Sequence, residues 1–132
     1  MPRNLEKVIY PELSYILNGI FFNVHNELGF YCKEIQYCDA IEKLLKDKSI
    51  DYKREYFIET DNELIRNNSS RIDFLIEDKI IIEVKARRFI GREEYFQTQR
   101  YLNAINLKLG IIVNFHQKYL LPKRIVNSNA KE

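Results

Sequence analysis

The chain has 132 residues, 45% of them hydrophobic and 30% charged, with a formal net charge of +2. A chain of this length and composition is expected to fold as one globular domain with its own apolar core. Two cysteines are too few for a disulfide framework or a four-ligand zinc site, and we expect no signal peptide, no membrane span and no membrane partner. These features favour a cytoplasmic protein.

Hydrophobic periodicity predicts seven elements, in the order helix, helix, strand, strand, strand, helix, strand. The first helix starts at Pro11, which suits a first turn, and stops at Gly29. The other elements are expected at residues 33–48, 51–60, 72–76, 80–84, 92–105 and 109–115. A polar loop is expected at 61–70, and a loose polar tail after Pro122. Three strands in a meander, followed by a helical crossover to a fourth, predict an α/β fold with a central mixed four-stranded sheet flanked by helices.

The predicted β-hairpin carries the charges of greatest functional interest. Its apolar strands, 72–76 and 80–84, flank a polar three-residue loop, and a loop of this length pairs Asp73 with Glu83. Lys85 follows two residues later and therefore lies on the same face of the sheet. Two carboxylates and an ammonium group would then converge at one end of the hairpin, which suits a divalent cation and a water molecule.

The metal-site hypothesis has an ordinary alternative, because charged residues on strands commonly face solvent, and Glu-x-Lys is common on edge strands. However, these strands are apolar on both sides, as in a sheet covered by helices. One face is expected to carry Ile72, Phe74 and Ile76, and the other Leu75 and Ile81. Charges within such strands are costly unless they are paired or bind metal. The metal-site hypothesis depends on the hairpin register, since a two-residue turn would place the two carboxylates on opposite faces.

Two residues outside the hairpin are further candidates. Glu34 shares the helical stripe of Tyr37 and Ile41, so its carboxylate is expected to point inward and to need a cation, a metal-bound water or helix amides. The alternative is an acid favoured by the dipole of the helix N-terminus. Gln97 lies early in the third helix, near the sheet end where Lys85 emerges, and its amide could orient a water or a phosphate oxygen. The alternative is a surface glutamine.

Charge is unevenly distributed along the chain. Residues 1–78 contain 10 Lys or Arg and 15 Asp or Glu, whereas residues 79–132 contain 11 and 4. The basic half includes the candidate nucleic-acid-binding residues Arg87, Arg88, Arg92 and Arg100. A basic surface beside an acidic pocket suits a polyanion whose phosphates are brought near a metal. The alternative is a solvated basic face.

Taken in order, these features resemble the PD-(D/E)XK nuclease superfamily, in which an Asp and a Glu-x-Lys on a hairpin precede a helix carrying Gln. More narrowly, the chain resembles the small bacterial proteins named for a Gly-x-x-Glu-x-x-Tyr motif, the GxxExxY family. The matching segments are residues 24–29, 34–37, 71–73, 82–86, 97–102 and 109–115, within a core of about 8–126. One departure is Tyr31, which stands at the motif's leading Gly position; the nearest glycine is Gly29.

The resemblance implies a restriction-endonuclease-like core in a single domain over residues 1–132. It implies that Asp73 and Glu83 hold Mg²⁺ or Mn²⁺, helped by the backbone carbonyl of Val84, and oxygen ligands favour Mg²⁺ over Zn²⁺. Lys85 would position or help deprotonate the attacking water and stabilise charge on the phosphate.

The same resemblance assigns Glu34 to a second metal or its water, and Gln97 to orienting the active-site groups. We therefore expect a metal-dependent nuclease that hydrolyses phosphodiester bonds in DNA. One alternative is a non-catalytic nucleic-acid-binding or regulatory module, in which Asp73, Glu83 and Lys85 form a buried ion network. Another is a homodimeric protein-interaction subunit, and a homodimer would also suit an enzyme that cuts two strands.

Overall fold

Five strands form one mixed sheet in the computed structural model, which describes residues 9–58 and 71–131. The strands are β1 (Tyr52–Phe57), β2 (Arg71–Ile76), β3 (Ile80–Lys85), β4 (Leu109–Asn114) and β5 (Lys123–Val126), and they lie side by side in that order. All neighbouring strands are antiparallel except β3 and β4, which are parallel. The helices are α1 (Pro11–Leu28), α2 (Glu34–Asp47) and α3 (Arg92–Ile105). The predicted α/β class and mixed sheet are confirmed.

The helix ends follow from local sequence signals. Pro11 opens α1, and Gly29 closes it in a conformation with φ 76°, donating its N–H to the His25 carbonyl at 2.8 Å. The Glu94 side chain accepts the Gly91 N–H at the start of α3 (Oε1–N 2.7 Å), as in a capping box. These signals explain why the helix predictions agree closely with the structure.

The sheet is covered by helices on both faces. One core lies between the sheet and the pair α1 and α2, and it includes Leu17, Phe21, Tyr37, Ile41, Leu45, Phe74 and Ile82. The other core lies under α3 and includes Tyr101, Leu102, Ile81, Ile112 and Ile125. All six residues of β4 are buried. Burial on both faces is the reason why the central strands are almost continuously apolar.

The prediction of four strands is wrong, because the tail contributes β5. This strand pairs with β4 through partners that include Gly110 and Ile125. It has only four residues, and only Ile125 is buried. So short an edge strand has no alternating pattern that periodicity could detect.

The prediction that Ile72 shares a face with Phe74 and Ile76 is also wrong. Ile72 packs in the core under α3, whereas the other two face α1 and α2. Strict alternation along a strand would keep all three on one side. The change of face occurs at Asp73, in the stretch of the sheet where β1 adopts a left-handed conformation at Glu55 (φ 54°).

The strand expected at 51–60 is shorter in the structure and ends at Phe57. Residues 59–60 and the polar loop expected at 61–70 lie outside the described residues. Among the described helices, none combines the length and the apolar character that crossing a bilayer requires.

Candidate active site

The hairpin of β2 and β3 has the register that the sequence predicts. Ile76 pairs with Ile80, and Phe74 pairs with Ile82, across a three-residue turn at 77–79. The same register places Asp73 and Glu83 at the next position along the two strands. The turn accommodates left-handed conformations at two of its residues, Glu77 and Asp78.

The hairpin opens at Asp73. Its carboxylate Oδ2 accepts a hydrogen bond from the backbone N–H of Val84 at 2.7 Å. A side chain of β2 therefore takes the place of a backbone partner for β3, just past the pair formed by Phe74 and Ile82. This contact fixes the Asp73 carboxylate at the edge of β3, next to Glu83.

Glu83 is the most unusual residue of the site, because only 6% of it is exposed. Its Oε2 is buried and has no hydrogen-bond partner among the described residues. Burial raises the pKa of Glu83 well above its usual range, and the neighbouring Asp73 raises it further through its negative charge and a hydrogen bond. Burial and then the charge of Glu83 raise the pKa of the Tyr101 hydroxyl on α3. A buried carboxyl with a free oxygen and an acidic neighbour is an unstable arrangement without a cation or a proton.

Lys85 ends β3 and is half-buried. Its positive charge acts to lower the pKa of both Glu34 and Glu83. Because Lys85 follows Glu83 by two residues in β3, the two side chains lie on the same face of the sheet. In this respect the structure brings the predicted acidic and basic residues together.

The prediction that Glu34 points into the interior is wrong. Glu34 is the first residue of α2 and is exposed, so it does not share the buried stripe of Tyr37 and Ile41. It still faces the site: partial desolvation and then the negative charge of Asp73 raise its pKa, against the opposing charge of Lys85. A position at a helix N-terminus also suits an acid.

Two clefts flank the hairpin's open end. The first, the Asp73 cleft, has a volume of about 220 Å³ and is lined by Glu34, Ile35, Cys38, Arg54, Glu55, Arg71 and Asp73. The second, the Lys85 cleft, has a volume of about 400 Å³ and is lined by Lys85, Arg87, Glu93, Glu94, Phe96, Gln97 and Arg100. Gln97, as predicted, lies near Lys85 at the end of the sheet.

The four candidate arginines do not form one cluster. Arg87 and Arg100 line the Lys85 cleft, whereas Arg88 and Arg92 are exposed outside its lining. Arg87 forms an ion pair with Glu94 (Nη1–Oε2 2.7 Å), so part of its charge is already balanced. Exposed charges of this kind contribute mainly to long-range attraction of a polyanion.

Sequence reasoning missed Asn114, which is buried and pairs with Lys85 in the parallel register. Its side chain forms two hydrogen bonds with the backbone of Arg87. Oδ1 accepts the Arg87 N–H at 3.2 Å, and Nδ2 donates to the Arg87 carbonyl at 2.8 Å. The signal was an asparagine directly after the apolar run of β4. Arg54, half-buried and paired with Asp39 and Glu42 beside the Asp73 cleft, was missed as well.

The donor set limits what could bind between the clefts. Within residues 9–58 and 71–131, no three His, Cys, Asp or Glu side chains are grouped closely enough to hold a metal ion by themselves. A cation beside Asp73 and Glu83 would complete its shell with main-chain, water and substrate oxygens. Mg²⁺ is commonly bound in this way, by one or two carboxylates together with waters and phosphates.

A mixed sheet covered by helices, with an acidic pair and a lysine where two central strands separate, defines a restriction-endonuclease-like protein. A model of the PD-(D/E)XK nuclease superfamily matches residues 11–125, and the chain belongs to this superfamily. The superfamily takes its name from nucleases, and such nucleases typically use divalent metals. No curated protein matches the chain.

A solved structure, that of SSO0001, is similar to the chain at 17% sequence identity with a TM-score of 0.48. The alignment covers 81% of this chain and 61% of that one, so the chain spans less than two thirds of that protein's length.

Proposed function

We propose that this protein is a metal-dependent nuclease that hydrolyses phosphodiester bonds in DNA, with Mg²⁺ or Mn²⁺ held by Asp73 and Glu83. The observation that carries the proposal is the buried Glu83 carboxyl, whose Oε2 has no partner among the described residues and whose neighbour is a second carboxyl. A buried pair of acids is costly unless a cation neutralises it. A bound dication would make water a better nucleophile and polarise the phosphate.

The main chain of β3 supports Val84 as a further ligand. Its N–H points towards Asp73, with which it forms the 2.7 Å hydrogen bond. In an extended strand, the N–H and C=O of one residue point to the same side. The Val84 carbonyl is therefore directed towards the same opening between β2 and β3, where it can add a neutral oxygen to the two carboxylates.

The remaining side chains supply positioning and charge. Lys85, whose charge acts on both Glu34 and Glu83, holds the attacking water, assists its deprotonation and stabilises negative charge on the phosphate. Gln97, in the Lys85 cleft, orients that water or a phosphate oxygen. Glu34, at the other side of the opening, binds a second metal or its water. The arginines Arg87, Arg88, Arg92 and Arg100 bind the phosphate backbone.

Membership of the narrower GxxExxY family is also part of the proposal. Tyr37, the motif's tyrosine, closes the connection between α1 and α2: its hydroxyl donates to the Gly29 carbonyl at 2.7 Å and accepts the Cys32 N–H at 3.1 Å. These contacts support a role for the motif in placing Glu34 at the start of α2. Tyr31, in the motif's Gly position, is 84% exposed, so the substitution causes no crowding.

Calorimetric titration with Mg²⁺ and with Mn²⁺ tests the proposal, using the wild type, Asp73→Asn and the control Asp78→Asn. Both aspartates belong to the same hairpin, but Asp78 lies in the exposed turn. We expect metal binding and cleavage of labelled DNA in the wild type and the control, and neither in Asp73→Asn. Circular dichroism confirms that all three are folded.

A folded wild-type protein that binds neither metal would contradict the proposal. Salt-sensitive DNA binding without metal, weakened by Arg100→Ala, would then favour the non-catalytic binding module. Light scattering in the same samples tests the expected homodimer.

A further inference from the structure

The carboxyl ends of β3 and β4 carry exposed aromatic rings beside cationic groups. β3 and β4 are parallel, so the loops that follow them leave the sheet at the same edge. We call this area the aromatic–basic surface, and it consists of Arg88, Phe89, Phe96, Arg100, Lys118 and Tyr119. The exposed fractions of its rings are 75% for Phe89, 53% for Phe96 and 79% for Tyr119.

Side-chain hydrogen bonds join the two loops. Gln117 donates from its side-chain Nε2 to the Arg88 carbonyl at 3.3 Å. The main-chain carbonyl oxygen of Gln117 forms a 2.7 Å hydrogen bond with Nε2 of His25. Asn114 holds the backbone of Arg87 from β4. The segments that carry Phe89 and Tyr119 are therefore anchored to each other and to α1, as a binding platform requires.

Each ring has a cation nearby. The Arg88 guanidinium lies 5.5 Å from the ring centroid of Phe89, and the Lys118 ammonium lies 5.5 Å from that of Tyr119. Phe96 and Arg100 are one helical turn apart on α3, and both line the Lys85 cleft. Single exposed aromatic residues are common on protein surfaces and need no explanation. Here two rings lie beside a cation and the third shares the Lys85 cleft with Arg100, a pattern that combines stacking with phosphate binding.

We propose that this nuclease takes single-stranded DNA, whose unpaired bases stack on Phe96, Phe89 and Tyr119 while the cations bind the phosphates. Base–aromatic stacking together with a basic groove is the usual means of binding single strands without sequence preference. In a duplex, the base faces are stacked on each other, and the rings would have no partner. The inference rests on the proposed nuclease function, because it names the form of that enzyme's substrate.

Binding is measured by fluorescence anisotropy in EDTA, so that no metal or cleavage is needed. The probe is a labelled DNA strand of about 16 nucleotides, the upper end of site sizes for such grooves, alone or in a duplex with its complement. We expect the single strand to bind at least about 10-fold more tightly. Phe89→Ala and Phe96→Ala are each expected to weaken single-strand binding about 10-fold and leave duplex binding nearly unchanged.

The matched control is Phe22→Ala, which removes an exposed ring of α1 from a cleft that contains none of the six residues of this surface. Phe96→Leu keeps an apolar side chain but removes the aromatic face, and it should bind as weakly as Phe96→Ala. Equal or tighter binding of duplex, or single-strand binding that is indifferent to Phe89 and Phe96, would overturn the inference. Tighter binding of an RNA strand of the same sequence would also overturn it.

Cleavage with Mg²⁺ is scored separately in the same variants. Cleavage without a single-strand preference would support the proposed nuclease function and refute the inference. A single-strand preference that depends on the rings, without any cleavage, would refute the nuclease proposal and leave a single-strand-binding surface.

Discussion

The two ends of the hairpin formed by β2 and β3 differ sharply in chemistry, although they share one register. At the turn end, Ile76 and Ile80 form a cross-strand pair and are fully buried. At the open end, the Asp73 carboxylate accepts the N–H of Val84, and Glu83 is buried with an oxygen that has no partner within residues 9–58 and 71–131. The residues of the turn end are stabilised by contacts within the chain. The two carboxyl groups of the open end need a proton or a bound cation.

The difference shows where stability and function separate in this fold. Apolar side chains paired across strands contribute to folding whether or not a ligand is present. A buried carboxyl beside another acid destabilises the empty protein and becomes favourable when a cation arrives. At the turn end, apolar side chains are buried, as their hydrophobicity favours. At the open end, the acidic side chain of Glu83 is buried against its preference for water, as is expected of a functional site.

The largest effect is expected for Glu83→Gln, at the open end of the hairpin. The amide has nearly the same shape but cannot carry the charge that a cation needs, so we expect Mg²⁺-dependent cleavage to fall by about 10³-fold or more. Because the buried charge is removed, the melting temperature in EDTA should stay the same or rise by a few degrees. Cleavage assays and calorimetric melting of the same sample check both statements. A large drop in melting temperature would show that Glu83 is structural.

Ile80→Ala tests the turn end. Removing most of a fully buried side chain should lower the free energy of unfolding by about 2–5 kcal/mol. Urea denaturation measures the loss, and cleavage per folded molecule should remain close to that of the wild type at low temperature. Lys79→Ala, at a neighbouring exposed turn position, is the matched control, with an expected change below about 0.5 kcal/mol. Loss of cleavage in a folded Ile80→Ala would mean that the two ends are not separable.

The register of the hairpin was predictable because two apolar runs bound a polar turn of definite length. Counting from that turn paired Asp73 with Glu83, and the pairs from Phe74 with Ile82 down to the turn confirm this register. The helices were predictable for a similar reason, since their ends carry Pro11, Gly29 and Gly91. Local signals of this kind are read directly from sequence.

What sequence reasoning missed depends on contacts between distant segments. Asn114 looks like a residue leaving a strand, and its function in holding Arg87 arises only from the parallel pairing of β4 with β3. Glu34 falls at helical spacing with buried residues, but as the first residue of α2 it lies at the rim. The face of Ile72 depends on the break in side-chain alternation at Asp73, which no periodic pattern encodes.

Asn114→Ala tests the residue whose side chain is hydrogen-bonded to the loop after β3. It removes two hydrogen bonds to the Arg87 backbone, and we expect a loss of about 1–3 kcal/mol in unfolding free energy. Cleavage should fall as well, because Lys85 and the Lys85 cleft are then less well positioned. Asn114→Asp keeps the acceptor but not the donor and should be intermediate. Unchanged cleavage in a destabilised Asn114→Ala would limit this residue to a structural role.

The smallest expected effect is the pH dependence of the metal-free protein. Burial and the charge of Asp73 raise the pKa of Glu83 above its usual value of 4.5, so the folded state binds this proton more tightly than the unfolded chain does. Its contribution to stability is therefore present at low pH and is lost as pH rises from about 4.5 through the raised pKa. Urea denaturation in EDTA across this range should show the decline, and Glu83→Gln should flatten it. Added Mg²⁺ should stabilise the wild type more at the higher pH, because the carboxyl must lose its proton to bind the ion. A pH profile identical in wild type and Glu83→Gln would show that Glu83 is ionised in the empty protein, and that the open end of the hairpin is balanced by its own lysine.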